Sequence, residues 1–226
     1  VNTHMLMACK KYKVKKYFFS SSACVYNAEK QKDSKITGLR ETDAYPAMPE
    51  DGYGWEKLFS ERMCRHFLED YGLDVKVARY HNIYGPNGTY EGGREKAPDA
   101  LCRKIIKEIF DSKDSIDVWG EGKQTKTFLY IDDCIEGIFR IVNSNINEPL
   151  NLGMDHLVTI NSMVDIICEI SGKTLVKMND LSKPQGVRGR NSDNTKIKEL
   201  LGWSPTFPLE MGLAKTYAWI DSQVKN

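Results

Sequence analysis

Segments of helical and of strand-like pattern alternate along this chain, and that alternation restricts it to a mostly parallel sheet with helices on its faces. Residues 52–71 show it most clearly. Trp55, Leu58, Phe59, Met63, Phe67 and Leu68 recur at intervals of three and four, which predicts an amphipathic helix. Helices are also predicted over 3–11, 97–110, 132–142 with Asp132 as its N-cap, 161–171, 194–201 and 208–224. Strands are predicted over 17–22, 75–80 (alternating in character), 116–119, 125–131, 149–152, near Val158, and over 174–178. A polar loop fills the chain as far as Asp51, and the turn residues 82–88 follow the second strand.

The bulk numbers exclude several classes. With 226 residues, 41% hydrophobic and 28% charged, the chain is large enough to bury a core and has the composition of a folded domain. Thirty-two Lys and Arg against 31 Asp and Glu give a net charge of +1, so no global field draws it to nucleic acid or a membrane surface. The basic run from Lys10 to Lys16 reads as a solvated helix end leading into a strand. Six scattered cysteines (Cys9, Cys24, Cys64, Cys102, Cys134, Cys168) form no CxxC pair and have no His at ligand spacing. A disulfide framework or a metal site is therefore not expected, and a reducing cytoplasm suits the chain. No apolar run is long enough to span a bilayer. His4, His66 and His156 read as structural or surface residues, His81 as a residue shaping its loop, and the four tryptophans as packing groups.

An open α/β dinucleotide fold begins with a strand, a Gly-rich turn and a helix whose N-terminus holds the pyrophosphate. The glycines here do not fit that frame: Gly52-Tyr53-Gly54 opens a helix but follows a loop, and Gly120-Glu121-Gly122 lies between two strands. The chain also begins inside an element, so it is expected to be a piece whose first strands are absent. Taken alone, such a piece should bind little or no NAD.

Tyr53 and Lys57 are four apart at a helix start, which sets both on one face, and a nearby ammonium is expected to depress the phenol. The strand before that helix ends in Ser20-Ser21-Ser22-Ala23-Cys24, placing hydroxyls and a thiol at a strand's C-terminal end, where ligands sit in parallel sheets. A Ser hydroxyl, a Tyr phenol and a Lys ammonium at one point suit proton removal from an alcohol whose carbon loses a hydride.

The stretches SSSACVY, DGYGWEK, ARYHNIYGPNGTYEGGREKAP, VWGEGKQTKTFLYIDD and RGRNSDNTKIKELLGWSP together resemble the extended short-chain dehydrogenase/reductase family of nucleotide-sugar epimerases and dehydratases. HNIYGPNGTYEGGREKAP and GVRGRNSDN are most similar to the branch that inverts hexose carbons 3 and 5 of GDP-mannose. The resemblance implies a Rossmann-type parallel sheet, its N-terminal strands missing, with a smaller mixed α/β substrate-binding domain. Residues 1–86 and about 125–150 would be the remainder of the NAD-binding part, and about 87–124 and 151–226 the nucleotide-sugar part. It implies NAD as cofactor, a GDP-hexose as substrate and a homodimer formed through the helix of Tyr53.

By the same resemblance, Ser22, Tyr53 and Lys57 are the catalytic triad, with Tyr53 and Lys57 also at the cofactor. Cys24 and Lys96 are the acid–base pair that exchanges carbon-bound protons. Ser22, Ala23, Cys24, Asn82, Glu95, Lys96, Ala97, Lys104, Gln124, Thr125, Lys126 and Arg190 fall at substrate positions, Arg190 with Arg188 beside it being the expected diphosphate ligand. Lys126 stands where arginine is the family's pattern, which keeps the charge and loses the fork. Other members of the family (4-epimerases, decarboxylases, dehydratases) and a non-catalytic fragment are the alternatives.

Overall fold

The computed structural model describes residues 1–32, 38–183 and 188–225. Part of the polar loop before Asp51, and Gly186 and Val187 of the GVRGRNSDN segment, lie outside them. Helix α1 (Asn2–Lys11) leads into strand β1 (Lys16–Ser22), and after three short 3-10 turns comes α2 (Gly52–Tyr71). Strands β2 (Asp74–Tyr80) and β3 (Ile83–Tyr84), helix α3 (Ala97–Phe110), and strands β4 (Ser115–Trp119), β5 (Thr125–Lys126) and β6 (Leu129–Tyr130) follow. Then come α4 (Ile131–Val142), β7 (Leu150–Leu152), β8 (Val158–Thr159), α5 (Ile160–Ser171), β9 (Val176–Asp180), β10 (Gly189–Arg190), α6 (Thr195–Leu201) and α7 (Leu209–Val224).

Strands β1, β2 and β7 form a parallel sheet in that order, with Ser22 opposite Tyr80 and Tyr80 opposite Leu152. The expected alternation of β2 is not found, because five successive residues from Val75 to Arg79 are buried. Both faces are covered. Phe19, Val75 and Val77 pack against Leu6, Cys64 and Phe67 of α1 and α2, while Ala78 joins Cys134, Ile141, Ile197 and Trp203 on the other side. A strand sandwiched in this way buries its polar residues too, so each needs a partner. Lys76 pairs with Asp74 at 2.7 Å, and Arg79 grips both carboxylate oxygens of Glu61 on α2.

The remaining strands are short. The β4–β9 pair is parallel, β3 pairs with β6, and β5 lies between β10 and β8. Side chains from α3, α5 and α7 enclose a second core with Ile116, Val118 and Phe128. The strand expected over 125–131 is broken in two, because the chain crosses from the β5 sheet to the β6 sheet there. The Thr127 carbonyl instead accepts from the Asn82 amide at 2.9 Å. Helix α4 begins one residue before Asp132, with Tyr130 at the N-cap and no side-chain cap. Its second acidic residue, Asp133, accepts the backbone N–H groups of Thr206 and Phe207 instead. The strand expected over 174–178 is displaced to Val176–Asp180, Leu175 being buried ahead of it. Trp203 and Trp219 pack as expected, but Trp55 and Trp119 are 47% and 50% exposed.

Candidate active site

Helix α2 is set against the end of β1 by a close approach that only glycine permits. The Asp51 side chain caps the helix at the Gly54 N–H (2.8 Å), and a Cβ on Gly54 would stand 2.2 Å from the Cys24 carbonyl oxygen. A second tie lies two turns along. Glu61, 5% exposed, accepts the Ser21 hydroxyl while held bidentately by Arg79. Arg79 also donates to Tyr26 and to the Glu41 carbonyl. Tyr26 and His81 converge on Asn151 Oδ1, whose amide nitrogen donates to the Leu39 and Asp193 carbonyls. Because that oxygen is an acceptor, the proton of the neutral His81 ring lies on Nε2. Burial lowers the His81 pKa to about 3, so it stays neutral. One buried network thus joins β1, α2, β2, β7 and the segments flanking Arg190.

On this base Ser22, Tyr53 and Lys57 meet. The Ser22 side chain hydrogen-bonds the half-exposed Tyr53 phenol and also caps the turn at Cys24 N (3.2 Å). Lys57 Nζ donates to the Ser20 carbonyl at 2.9 Å and lies 5.5 Å from the centre of the Tyr53 ring. The expected depression of the phenol is not found. Burial raises it, with the charges of Cys24, Glu56 and Asp51 adding and only the Ser22 hydrogen bond opposing among the main influences. The ammonium addresses the strand carbonyl and the aromatic face.

Cys24 and Arg190 close the other side. Arg190, on β10, donates through Nε to Gln31 Oε1 (2.7 Å), through Nη1 to Cys24 Sγ (3.3 Å) and through Nη2 to Glu50 Oε2 (3.3 Å). A guanidinium has five N–H donors, so a phosphate could still be gripped. Gln31 is 1% exposed and spends its own amide on the Tyr26 and Asn27 carbonyls. Opposite Arg190 on β5 stands Lys126. Burial lowers its pKa first, Arg190 and Lys96 add to that, and Cys24 and Glu50 oppose. Arg190, Lys96, Cys24 and Glu50 therefore all act on the charge of Lys126, and Cys24 acts on Tyr53 as well.

The other expected residues have surroundings of their own. Asn82 is in a left-handed conformation, and Thr125 is paired with Gly189, next to Arg190. Glu95 is tied to Arg103 at 3.2 Å. Burial works against its charge, but backbone N–H groups of Glu95 and Gly93 and the Arg103 guanidinium hold its pKa below the usual range. Lys96 is the exposed N-cap of α3 and Ala97 its first residue. Gln124 is buried with Oε1 unpartnered. Ala23 is buried in the turn after β1. Lys104 is drawn aside to the Asp117 carbonyl and the Trp119 ring. Gln31, Glu50, Gly54, Glu61 and Arg79 escaped the sequence reading. Only Glu61 left a signal, four residues past Lys57 on the same helical face.

The model of the NAD dependent epimerase/dehydratase family matches residues 1–153. The chain belongs to that family. It is 47% identical over 225 residues to GDP-mannose 3,5-epimerase 1 of rice (Oryza sativa subsp. indica), an alignment covering 100% of this chain and 58% of the rice protein. The chain thus spans less than two thirds of that relative. Among solved structures it is similar to UDP-glucose 4-epimerase of Thermotoga maritima with UDP-glucose (TM-score 0.84, 27% identity, 99% of this chain and 69% of that one). It is also similar to UDP-glucuronic acid 4-epimerase of Bacillus cereus in complex with UDP-glucuronic acid and NAD (TM-score 0.80, 28% identity, 98% and 66%). Both likenesses agree with a Rossmann-like α/β fold. No helix among the described residues is long and apolar enough to cross a membrane, and all six cysteines are free.

Proposed function

We propose that this chain inverts carbons 3 and 5 of a GDP-hexose, GDP-mannose, as part of an NAD-loaded epimerase of the cytoplasm. The observation that carries this reading is a thiol, Cys24, held by Arg190 beside the Ser22–Tyr53 hydrogen bond, with the Lys96 amine acting with it on the charge of Lys126. A 4-epimerase needs only the Ser22–Tyr53–Lys57 constellation. The similarity to the rice enzyme over the whole chain supports the same substrate.

The residues present fit the nicotinamide end of NAD. The Lys57 ammonium has donors to spare beyond Ser20, and Tyr53 stands half-exposed beside it. When bound, NAD would take the hydride of hexose carbon 4, return it later, and favour the tyrosinate through its positive ring. Tyr53 then removes the carbon 4 hydroxyl proton, with Ser22 holding the same oxygen. The transient ketone acidifies the protons on carbons 3 and 5, since an enolate oxygen can take the charge. Cys24 removes such a proton from one face and Lys96 delivers one from the other.

Lys126 and Arg190 supply positive charge for the developing enolate and the diphosphate, with Lys104, Gln124, Thr125, Asn82, Glu95 and Ala97 shaping the remainder of the site. The division of the chain into NAD-binding stretches 1–86 and about 125–150 and sugar-nucleotide stretches about 87–124 and 151–226 belongs to this reading. So does a homodimer through α2, whose Trp55 and Phe59 are exposed. Incubating the complete protein with GDP-mannose in deuterated water tests the function. Label at carbons 3 and 5 is expected. Turnover of a sugar nucleotide that survives loss of Cys24 would indicate a 4-epimerase instead.

A further inference from the structure

Asp99 is a buried acid that this mechanism leaves unused. It lies in the first turn of α3, three residues beyond the N-cap Lys96, so the two side chains leave neighbouring parts of the helix start. Asp99 is 3% exposed, and its Oδ1 has no hydrogen-bond partner. That oxygen faces the loop after β3: a Cβ on Gly88 would stand 3.5 Å from it. A cleft of about 510 Å³ lies between this loop and α3, lined by Asp99, Lys96, Arg94 and Asn87 among others.

A buried carboxylate with one oxygen unpartnered is costly to ionise, so such a group holds its proton more tightly. Burial pushes the Asp99 carboxyl up to about 7, opposed by its own and the Gly85 backbone N–H groups, with Glu95 adding and Lys96 opposing. The other titratable groups against it are Tyr84 on β3 and Cys102 further along α3, both raised by burial and so neutral.

In the reaction proposed above, Lys96 gives a proton to a ring carbon and is left as a neutral amine. Inverting two carbons of one bound sugar requires a second proton while the substrate still covers the site. We propose that Asp99 recharges Lys96. The carboxyl O–H bond breaks, its proton passes to the Lys96 amine directly or through water in the cleft, and an N–H bond forms. Solvent then reprotonates Asp99 through the same cleft. No electrons are exchanged and no other reactant is needed.

This inference rests on the 3,5-epimerase reading, and one experiment separates the two. The complete NAD-loaded protein and its Asp99→Asn variant are compared for deuterium entry at carbons 3 and 5 of GDP-mannose, across pH and imidazole concentration. Asparagine matches the protonated acid in shape and charge but carries no transferable proton. The variant should lose about tenfold or more in kcat at unchanged KM. It should also lack the decline in rate expected of the wild type above about pH 7, where Asp99 ionises. Imidazole, a soluble proton donor, should restore the variant and leave the wild type unchanged. A purely structural Asp99 would not respond to imidazole. A variant with the wild-type rate and pH profile, or a slower one that imidazole does not lift, overturns the relay alone. A wild type that labels neither carbon overturns the epimerase reading and the relay with it.

Discussion

The two halves of the site are built in opposite ways. Beneath Ser22, Tyr53 and Lys57 lies a buried network in which Glu61, Arg79, Tyr26, Ser21 and Asn151 are all partnered. Around Lys96, itself exposed, a buried oxygen of Asp99 has no hydrogen-bond partner. On the proposed function the first half would hold an alcohol and a hydride acceptor at fixed distance, which favours rigid, satisfied packing. On the same proposal the second would gain and lose protons, which favours a group such as Asp99 whose ionised form is incompletely compensated. A buried polar group here is thus informative through whether its partner is present.

The largest test of this contrast is functional. Replacing Cys24 by Ser or Lys96 by Met should slow proton exchange at carbons 3 and 5 by roughly 10²–10⁴-fold. Hydride transfer, followed by nicotinamide absorbance in a single turnover, should persist. Loss of both activities together would erase the distinction between the halves. In the network, Arg79→Met strands the Glu61 carboxylate and should cost about 3–5 kcal/mol in denaturant unfolding. A loss below 1 kcal/mol would show that the scaffold is less rigid than its bonding implies.

Asp99 sharpens the comparison through pH. Its folded pKa lies above the ordinary 3.8, at about 7, so the folded state holds an extra proton between those values. The stabilisation this gives is complete below about pH 4 and is lost as pH rises through 7, at most roughly 4 kcal/mol in all. Asp99→Asn should abolish that decline, so the stability of the wild type relative to the variant falls across this window. A flat difference would mean the acid is solvated. The smallest effect is that of Ser21→Ala, which removes one bond to Glu61 and should cost about 1 kcal/mol. It should lower kcat more than it raises KM, because it loosens α2 against β1.

What the sequence disclosed divides along similar lines. Helices α2 and α3 occupy the spans that apolar periodicity predicts, since their ends carry local signals. Gly72 is left-handed after Tyr71, and Pro98 stands in the first turn of α3. Strand β2 misled because Lys76 and Arg79 look like solvent-facing positions. Both are buried, and Arg79 finds Glu61 eighteen residues earlier in the chain, beyond any short-range pattern. Within the site, the Tyr53–Lys57 spacing was legible as one helical face, but the direction of the Tyr53 shift was not. That direction depends on burial and on Cys24, Glu56 and Asp51, which only the fold brings close. Gln31 and Arg190 are 159 residues apart, and nothing local to either announces that one orients the other against the Cys24 sulfur.

The central claim is that a thiol and an amine work on carbon-bound protons flanking a transient ketone. Mass and NMR analysis of GDP-mannose recovered from the complete protein in deuterated water addresses it most directly. The account predicts deuterium at carbons 3 and 5, none at carbon 4, and no such label once Cys24 is serine. Label that persists in the serine variant, or a sugar inverted at carbon 4 with carbons 3 and 5 unlabelled, would contradict it.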